Sequence, residues 1–382
     1  MSPIVKVKAA LRKNLPWLKA VLFHKCPPFV YGSKKINHVP VFIFHQVDQS
    51  FEHCLRYLTE NGYHTSTCSD LHFDGLSTPL GYYEKNIVLT FDDGDISLWR
   101  QAYPLLRKYN QQAVCFICPG LVPEPSLEQL ENTNSLCDWN QIITMHNSGV
   151  IDFQLHGMYH DLVFSSPLIN SFFHPNFRSP YFGKQEKATV VSYDDTISLT
   201  NIWPKEPRSL SPHLGIPIHS LSPKFATDQR YLPQQDAVNH LQNFVVDNGG
   251  ETYFQQKDWR KTLNQEYIST GGDRKGEIIC GTKYQEEIAK DLLTGQEIME
   301  NRLPGKKVRH FCFPWYKYSV AALNTVGECG FTTSFLGPEV TTQRHNWHKD
   351  NLTLVQRLPG HYIYLLPGKG RQSLLQNIAQ SL

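Results

Sequence analysis

The stretch Asn86-Ile-Val-Leu-Thr-Phe-Asp-Asp-Gly-Asp95 limits what this chain can fold into more than any other segment. An apolar run ended by a polar turn reads as a buried parallel strand. Asp92, Asp93 and Gly94 then stand where the strand gives way to a helix beginning near Ile96, which is where an α/β fold keeps its chemistry. Adjacent carboxylates at such a point can divide their work: one holds a cation, while the other, its pKa set by that neighbour, takes a proton. Gly94 lets the chain turn sharply and Asp95 can cap the helix. A plain Asx turn with a helix cap would use the same residues, so a second cluster has to decide.

That cluster is Gln154-Leu-His156-Gly-Met-Tyr-His160, which follows the short apolar stretch Val150-Ile-Asp-Phe153. Two histidines four apart fall on one face of a helical turn, where neutral imidazoles can grip a divalent ion while a carboxylate from another strand completes the set. Three protein ligands leave a coordination position open for water of lowered pKa, and hence for hydrolysis at neutral pH. In a chain with 17 histidines such a pair says little alone. One strand–helix–strand–helix passage after the paired aspartates, it says much more.

The alternation begins at Val39. Strands are predicted over Val39–His45, Ile87–Phe91, Ala113–Cys118, Val150–Leu155, His310–Trp315, Thr332–Leu336 and Leu352–Gln356. Amphipathic helices are predicted around 50–61, 96–109, 138–148, 284–302, 319–329 and 370–381, with Gly62, Gly149 and Gly330 after them as C′ glycines. Repeated β–α units imply parallel strands with a catalytic face at their carboxyl ends, in a barrel or an open sheet.

At these residues the chain resembles the polysaccharide deacetylase family, the NodB-homology or carbohydrate esterase 4 group, whose signature is a Thr-Phe-Asp-Asp-Gly strand end followed by His-x-x-x-His. Val39-Pro-Val-Phe-Ile-Phe-His45-Gln-Val, with Phe51 and Leu58-Thr-Glu-Asn-Gly-Tyr63, is similar to the opening of the permuted members typified by poly-N-acetylglucosamine deacetylases. The likeness resumes near Lys283, with Glu286-Glu-Ile and Phe311-Cys-Phe-Pro-Trp-Tyr316. The resemblance implies an α/β fold, a distorted (β/α)7-type barrel with a long insertion after the histidine motif. It also implies a metal-dependent hydrolase that removes the N-acetyl group from an amino sugar in a glycan or glycolipid intermediate. Two alternatives stand beside it: a related-fold amidohydrolase acting on a small non-sugar amide, and a glycan-binding protein with a vestigial site.

On that resemblance Asp93, His156 and His160 hold a divalent ion, Zn²⁺ before Co²⁺, Ni²⁺, Mn²⁺ or Fe²⁺, and Asp92 pulls the proton from bound water. Phe313-Pro-Trp-Tyr316 matches the family's Phe-x-Tyr-Pro-x-Gly form, except that Tyr316 and Lys317 stand where the usual glycine would be. There the backbone N–H of Trp315 faces the developing oxyanion, and the Trp315 and Tyr316 rings border the acyl pocket. Phe177-Arg-Ser-Pro-Tyr181 is the second candidate for this element, with Arg178 as a partner for the base. His45 protonates the departing amine in this reading, as its counterpart does in permuted members. His361, after Arg357-Leu-Pro-Gly360 at the end of the last strand, competes for that role.

Composition bounds the rest. A chain of 382 residues, 40% hydrophobic and 12% aromatic, can bury a large core, and a net charge of +2 gives no drive toward nucleic acid. The segments read as a basic N-terminal stretch (1–38), the first part of the barrel (39–160), an insertion over the active-site mouth (161–283) and the remainder (284–382). Nine cysteines, an odd number without framework spacing, read as reduced thiols in a cytoplasmic protein, and Cys115-Phe-Ile-Cys118 reads as part of a strand rather than a redox motif. Residues 1–38 carry eight Lys/Arg and no acid, with Leu11, Leu15, Leu18 and Leu22 at helical spacing. Such a helix suits either an anionic membrane surface, through residues 1–30 at the inner face, or packing on the body with a solvated basic face. Oligomeric state is not readable.

Overall fold

A computed structural model of the chain describes residues 19–36, 38–68, 85–125, 136–177, 189–193, 196–200, 213–272, 275–337, 346–349 and 352–381. The chain divides into two compact units: one built from Met1–Gly157, Gly295–Tyr316 and Val326–Leu382, the other from Met158–Thr294 and Lys317–Thr325.

In chain order the elements that matter for the first unit are β1 (Val41–Phe44), α1 (Phe51–Glu60), β2 (Asn86–Asp92), α2 (Tyr103–Lys108), β3 (Ala113–Ile117), α3 (Trp139–Asn147) and β4 (Ile151–Leu155). After them come α4 (Thr282–Arg302, in this unit from Gly295), β5 (His310–Cys312), α5 (Val320–Glu328, in this unit from Val326), β6 (Thr333–Leu336), β7 (Leu352–Gln356) and α6 (Leu374–Ser381). The strands lie in the order β7-β6-β5-β4-β3-β2-β1, each parallel to its neighbour. Leu358–Pro359, directly beyond β7, pairs with Phe42 and Ile43 of β1 and brings the sheet back to its start. The result is a seven-stranded, distorted (β/α) barrel, one of the two architectures that the alternation permitted. Its narrowest seam is β4 against β5, which meet at the single pair Leu155 and Phe311.

Every residue of β2 from Ile87 to Asp92 is buried, as expected of a strand covered on both faces. Parity sorts the run. Val88, Thr90 and Asp92 share one face, in register with Val114 and Phe116 of β3. Val88, Val114 and Phe116 join Val41, Cys312, Phe335 and Val355 in one apolar cluster, the barrel interior. Asp92 therefore continues an inward-facing row, while Asp93 lies past the strand's end. The predicted strands and helices match these elements to within a few residues, the largest trims being at His310–Cys312 and at the start of α6. Gly62, Gly149 and Gly330 all take left-handed φ after their helices.

The second unit, by itself, holds a four-stranded antiparallel sheet in the order Thr189–Tyr193, Thr196–Thr200, Leu162–Phe172, Pro217–Pro223. A hairpin-like pair, Gln229–Leu232 with Glu277–Cys280, and helices Gln235–Asp247 and Trp259–Ser269 accompany it. The helical signal near Gln235–Val246 is one of these; the tertiary core of Leu263 and Tyr267 makes the other. Ahead of the barrel, helical residues 19–22 bury Ala20 and Val21, whose carbonyls accept from Tyr31 Oη, and leave Leu22 exposed. The leucines at 11, 15 and 18 lie outside the described residues.

Candidate active site

The chemistry starts with a buried ion pair. Asp92, 1% exposed, and Arg357, fully buried, face each other inside the barrel mouth. Arg357 Nη1 donates to Asp92 Oδ1 at 2.6 Å and Nη2 to Oδ2 at 2.9 Å, a bidentate pair. Burial alone would raise the Asp92 carboxyl, but the Arg357 charge, with His156 and His45, brings it down to about 2. Arg357 also touches Thr90 Oγ1, Cys312 Sγ and the Leu336 carbonyl, and its guanidinium lies 5.4 Å from the Tyr316 ring centroid. Its parity explains its direction, since Val355 two residues earlier lines the same interior. Arg178, expected as a partner for the base, lies outside the described residues, as does Tyr181. Arg357 makes that contact.

Asp93 begins the turn after β2 with φ +70°, followed by Gly94 at +72°, where an added Cβ would meet Ile117 Cγ2 at 3.1 Å. Asp95 accepts from Ser97 N–H at 2.9 Å and from Gln46 at 3.0 Å, so it caps the next helix through an Asx contact. That helix opens at Ile96, as expected, and runs through a π turn at Leu98–Ala102 into α2. Burial pushes the Asp93 carboxyl upward, and the His156 and His45 charges oppose it.

His156 follows β4 directly, 2% exposed. Its Nδ1 meets the Cys312 carbonyl at 2.8 Å, so Nδ1 carries the proton and Nε2 offers a lone pair toward Asp93 Oδ1 at 3.6 Å and Asp92 Oδ2 at 3.9 Å. The helical turn expected for His156 and His160 does not form. Gly157 and His160 adopt φ of +82° and +58°, so a loop rather than a helix face brings the second imidazole round. Asp93, His156 and His160 each present one ligand atom, all within 4.8 Å of one another. Tetrahedral ligand atoms about 2.0–2.1 Å from zinc stand roughly 3.3 Å apart, so this set fits a divalent ion after a small contraction. Asp92, His156 and Cys312 satisfy the same distance test, but the Arg357 guanidinium already occupies that corner and burial keeps the Cys312 thiol protonated.

Across the mouth, Pro314–Tyr316 forms a short turn in which Trp315 and Tyr316 take φ of +60° and +58°. The missing glycine is thus answered by two non-glycine residues in left-handed conformation. Among the described residues six non-glycine positions have positive φ, and Asp93, His160, Trp315 and Tyr316 are four of them, a concentration of backbone strain at one place. Tyr316 Oη lies 3.1 Å from His45 Nε2, and burial, with the nearby Asp92 carboxylate, keeps the phenol protonated. An added Cβ at Gly337 would meet Tyr316 Cβ at 2.6 Å, so the absence of a side chain there gives the tyrosine its place. His45 is exposed at the end of β1, near enough to Asp92 and Asp93 to lower both carboxyls. His361, in the turn Gly360–Leu365, packs against the Tyr362 ring, and burial lowers it to about 4 with no contribution from the site acids.

A signature of this kind can be set against known proteins. Residues 82–196 match the family model described as polysaccharide deacetylase. That stretch of the chain is similar to the polysaccharide deacetylase family. Among curated relatives it is 29% identical over 94 residues to the putative polysaccharide deacetylase YxkH of Bacillus subtilis, covering 22% of this chain and 33% of the relative. It is 30% identical over 79 residues to the poly-beta-1,6-N-acetyl-D-glucosamine N-deacetylase of Staphylococcus aureus, covering 21% and 25%. The matched stretch thus spans a quarter to a third of these relatives' length. Among solved structures, a de-N-acetylase from Aggregatibacter actinomycetemcomitans aligns with a TM-score of 0.47 and 17% identity over 89% of this chain and 99% of that one.

Proposed function

We propose that the chain is a metal-dependent deacetylase that hydrolyses the N-acetyl group of an amino sugar within a glycan or glycolipid. The observation that carries this reading is the pairing of a buried, ionised Asp92 with a ligand set one residue further along the same strand end. Asp93, His156 and His160 would hold the ion, and a His/His/carboxylate set with an open position suits Zn²⁺ before Co²⁺, Ni²⁺, Mn²⁺ or Fe²⁺. When bound, such an ion supplies Lewis acidity that lowers the pKa of water and polarises a carbonyl.

The protein's own groups do the rest. Asp92 Oδ2, which lies on the His156 side of its carboxylate, takes a proton from the attacking water, and Arg357 keeps that carboxylate ionised and aimed. The water oxygen bonds to the acetyl carbon, and the backbone N–H of Trp315, turned by its left-handed φ, donates to the oxyanion. His45, held by Tyr316 Oη, gives its proton to the amine nitrogen as the C–N bond breaks, releasing acetate and a free amino sugar. Acetate release from N-acetylglucosamine oligomers by the Zn²⁺-loaded protein tests this, with Asp92→Asn expected to slow turnover by about two orders of magnitude or more. A loaded protein that releases no acetate from such oligomers but cleaves a small cyclic amide would replace the sugar substrate. Inertness toward both would leave a glycan binder.

Exposed Leu22 and Phe23 beside Lys19 and Lys25 support attachment of this enzyme to an anionic membrane surface, and the odd cysteine count supports a reducing, cytoplasmic compartment. Co-sedimentation with anionic liposomes that survives deletion of residues 1–30 would rule the attachment out.

A further inference from the structure

His160 is the ligand with the least support from regular structure. Its φ of +58° costs a non-glycine residue roughly 1–2 kcal/mol, so something else must hold the loop in place. Residues 157–161 link β4 to the strand Leu162–Phe172, and one ion pair grips them on both sides of His160. The Met158 N–H donates to Asp291 Oδ1 at 2.9 Å. The other oxygen of that carboxylate, Oδ2, accepts from Lys224 Nζ at 2.6 Å. The Lys224 backbone N–H, in turn, donates to the Asp161 carbonyl at 3.0 Å. Tyr284 Oη donates to the Lys224 carbonyl at 2.7 Å and fixes the lysine at its root.

Asp291 is 7% exposed, and the Lys224 side chain 16%. Burial would lower the lysine, yet the Asp291 and Asp161 carboxylates hold it charged. A buried pair of this kind gives little net stability compared with apolar side chains, so its location calls for a local explanation. The bonds it makes supply one: it anchors the backbone two residues before His160 and one residue after.

We infer that Lys224 and Asp291 are positioning residues that set the His160 imidazole for metal binding. This rests on the metal-dependent reading above. Outer-shell partners of this type typically change metal affinity by about 10–100-fold when removed.

The test uses the full chain and two readouts: Zn²⁺ affinity by competition with a chromophoric chelator, and the visible absorption of the Co²⁺-loaded protein. Lys224→Met and Asp291→Ala are each expected to weaken Zn²⁺ binding about 10–100-fold and to shift the Co²⁺ bands, with Lys224→Arg restoring much of the affinity. Glu287→Gln is the control. Glu287 pairs with Arg230 at 2.6 Å one turn earlier on the same helix and makes no bond to residues 157–161. Should Asp291→Ala fail to fold, Asp291→Asn keeps an acceptor for Met158 while removing the charge, and it is expected to weaken Zn²⁺ in the same direction. Folded Lys224→Met and Asp291→Asn proteins with wild-type affinity and spectrum overturn the inference, as does an equal loss in Glu287→Gln. A wild-type chain that binds neither ion overturns the metal-dependent function itself.

Discussion

Replacing Arg357 by methionine removes one charge from a buried site and leaves Asp92 facing Cys312. In the wild-type protein the Asp92 carboxyl sits at about 2 against an ordinary 3.8, a difference equivalent to about 2 kcal/mol. Because its folded pKa is depressed, this stabilisation is present above pH 3.8 and is lost as pH falls through about 2. Without Arg357 the burial contribution is left dominant and the carboxyl rises above its ordinary value, which reverses the sign. The variant is then least stable, relative to wild type, at neutral pH, by about 3–5 kcal/mol, the usual cost of breaking a buried pair from one side. The gap narrows as acid neutralises Asp92. Urea unfolding at pH 7 and pH 5 measures it, and the pH profile of acetate release should acquire an acid limb displaced toward neutrality. Asp92→Asn added to Arg357→Met should recover a large part of the lost stability. A gap that is absent, or equal at both pH values, with no recovery in the double variant, would refute the argument.

Chelation of the divalent ion should abolish acetate release, and His160→Ala should bind metal less than one-to-one by elemental analysis while His45→Ala keeps full occupancy and loses turnover. His361→Ala is expected to retain turnover, since its contacts are with Tyr362 and, through its carbonyl, Asn377; a loss there with activity in His45→Ala would exchange their roles. Tyr316→Phe removes the partner of His45 Nε2 and should lower kcat by about 10-fold or more with little change in KM. His219, fully buried among Phe164, Tyr231 and Tyr267, and His310 are both lowered by burial to about 4 from 6.5. The folded protein thus binds fewer protons than the unfolded chain in that interval, so stability is complete above pH 6.5 and falls toward pH 4, by up to about 3 kcal/mol for each histidine. Denaturant unfolding of His219→Phe between pH 7 and 4.5 should show a shallower decline than wild type.

Much of the barrel was legible because its β–α units carry local signals: an apolar strand with a polar end, an amphipathic helix, a glycine beyond it. The pair Asp92-Asp93 and the spacing of His156 and His160 marked the ligand set for the same reason, each being a short motif at a strand end. The helical turn expected between the two histidines was a misreading. Spacing of four suits a helix, but Gly157 and the left-handed His160 make a loop with the same result. Arg357 carried one weak signal, a charge directly beyond the buried strand Leu352–Gln356 and two residues after inward-facing Val355.

The local sequence determined which segments become strands, where each strand ends, and therefore which side chains stand at a carboxyl rim, since burial periodicity and turn chemistry act over a few residues. Tertiary structure alone decided which of those side chains meet. Arg357 reaches Asp92 across 265 positions of chain because closure of the sheet sets Leu358–Pro359, directly beyond β7, against β1 and turns Arg357 toward the interior that Asp92 faces. Asp291 reaches Met158 across 133, and the Cys312 carbonyl selects the tautomer of His156 across 156. The pKa of a base and the lone pair of a ligand depend on distances in space, and no pattern confined to neighbouring residues encodes them.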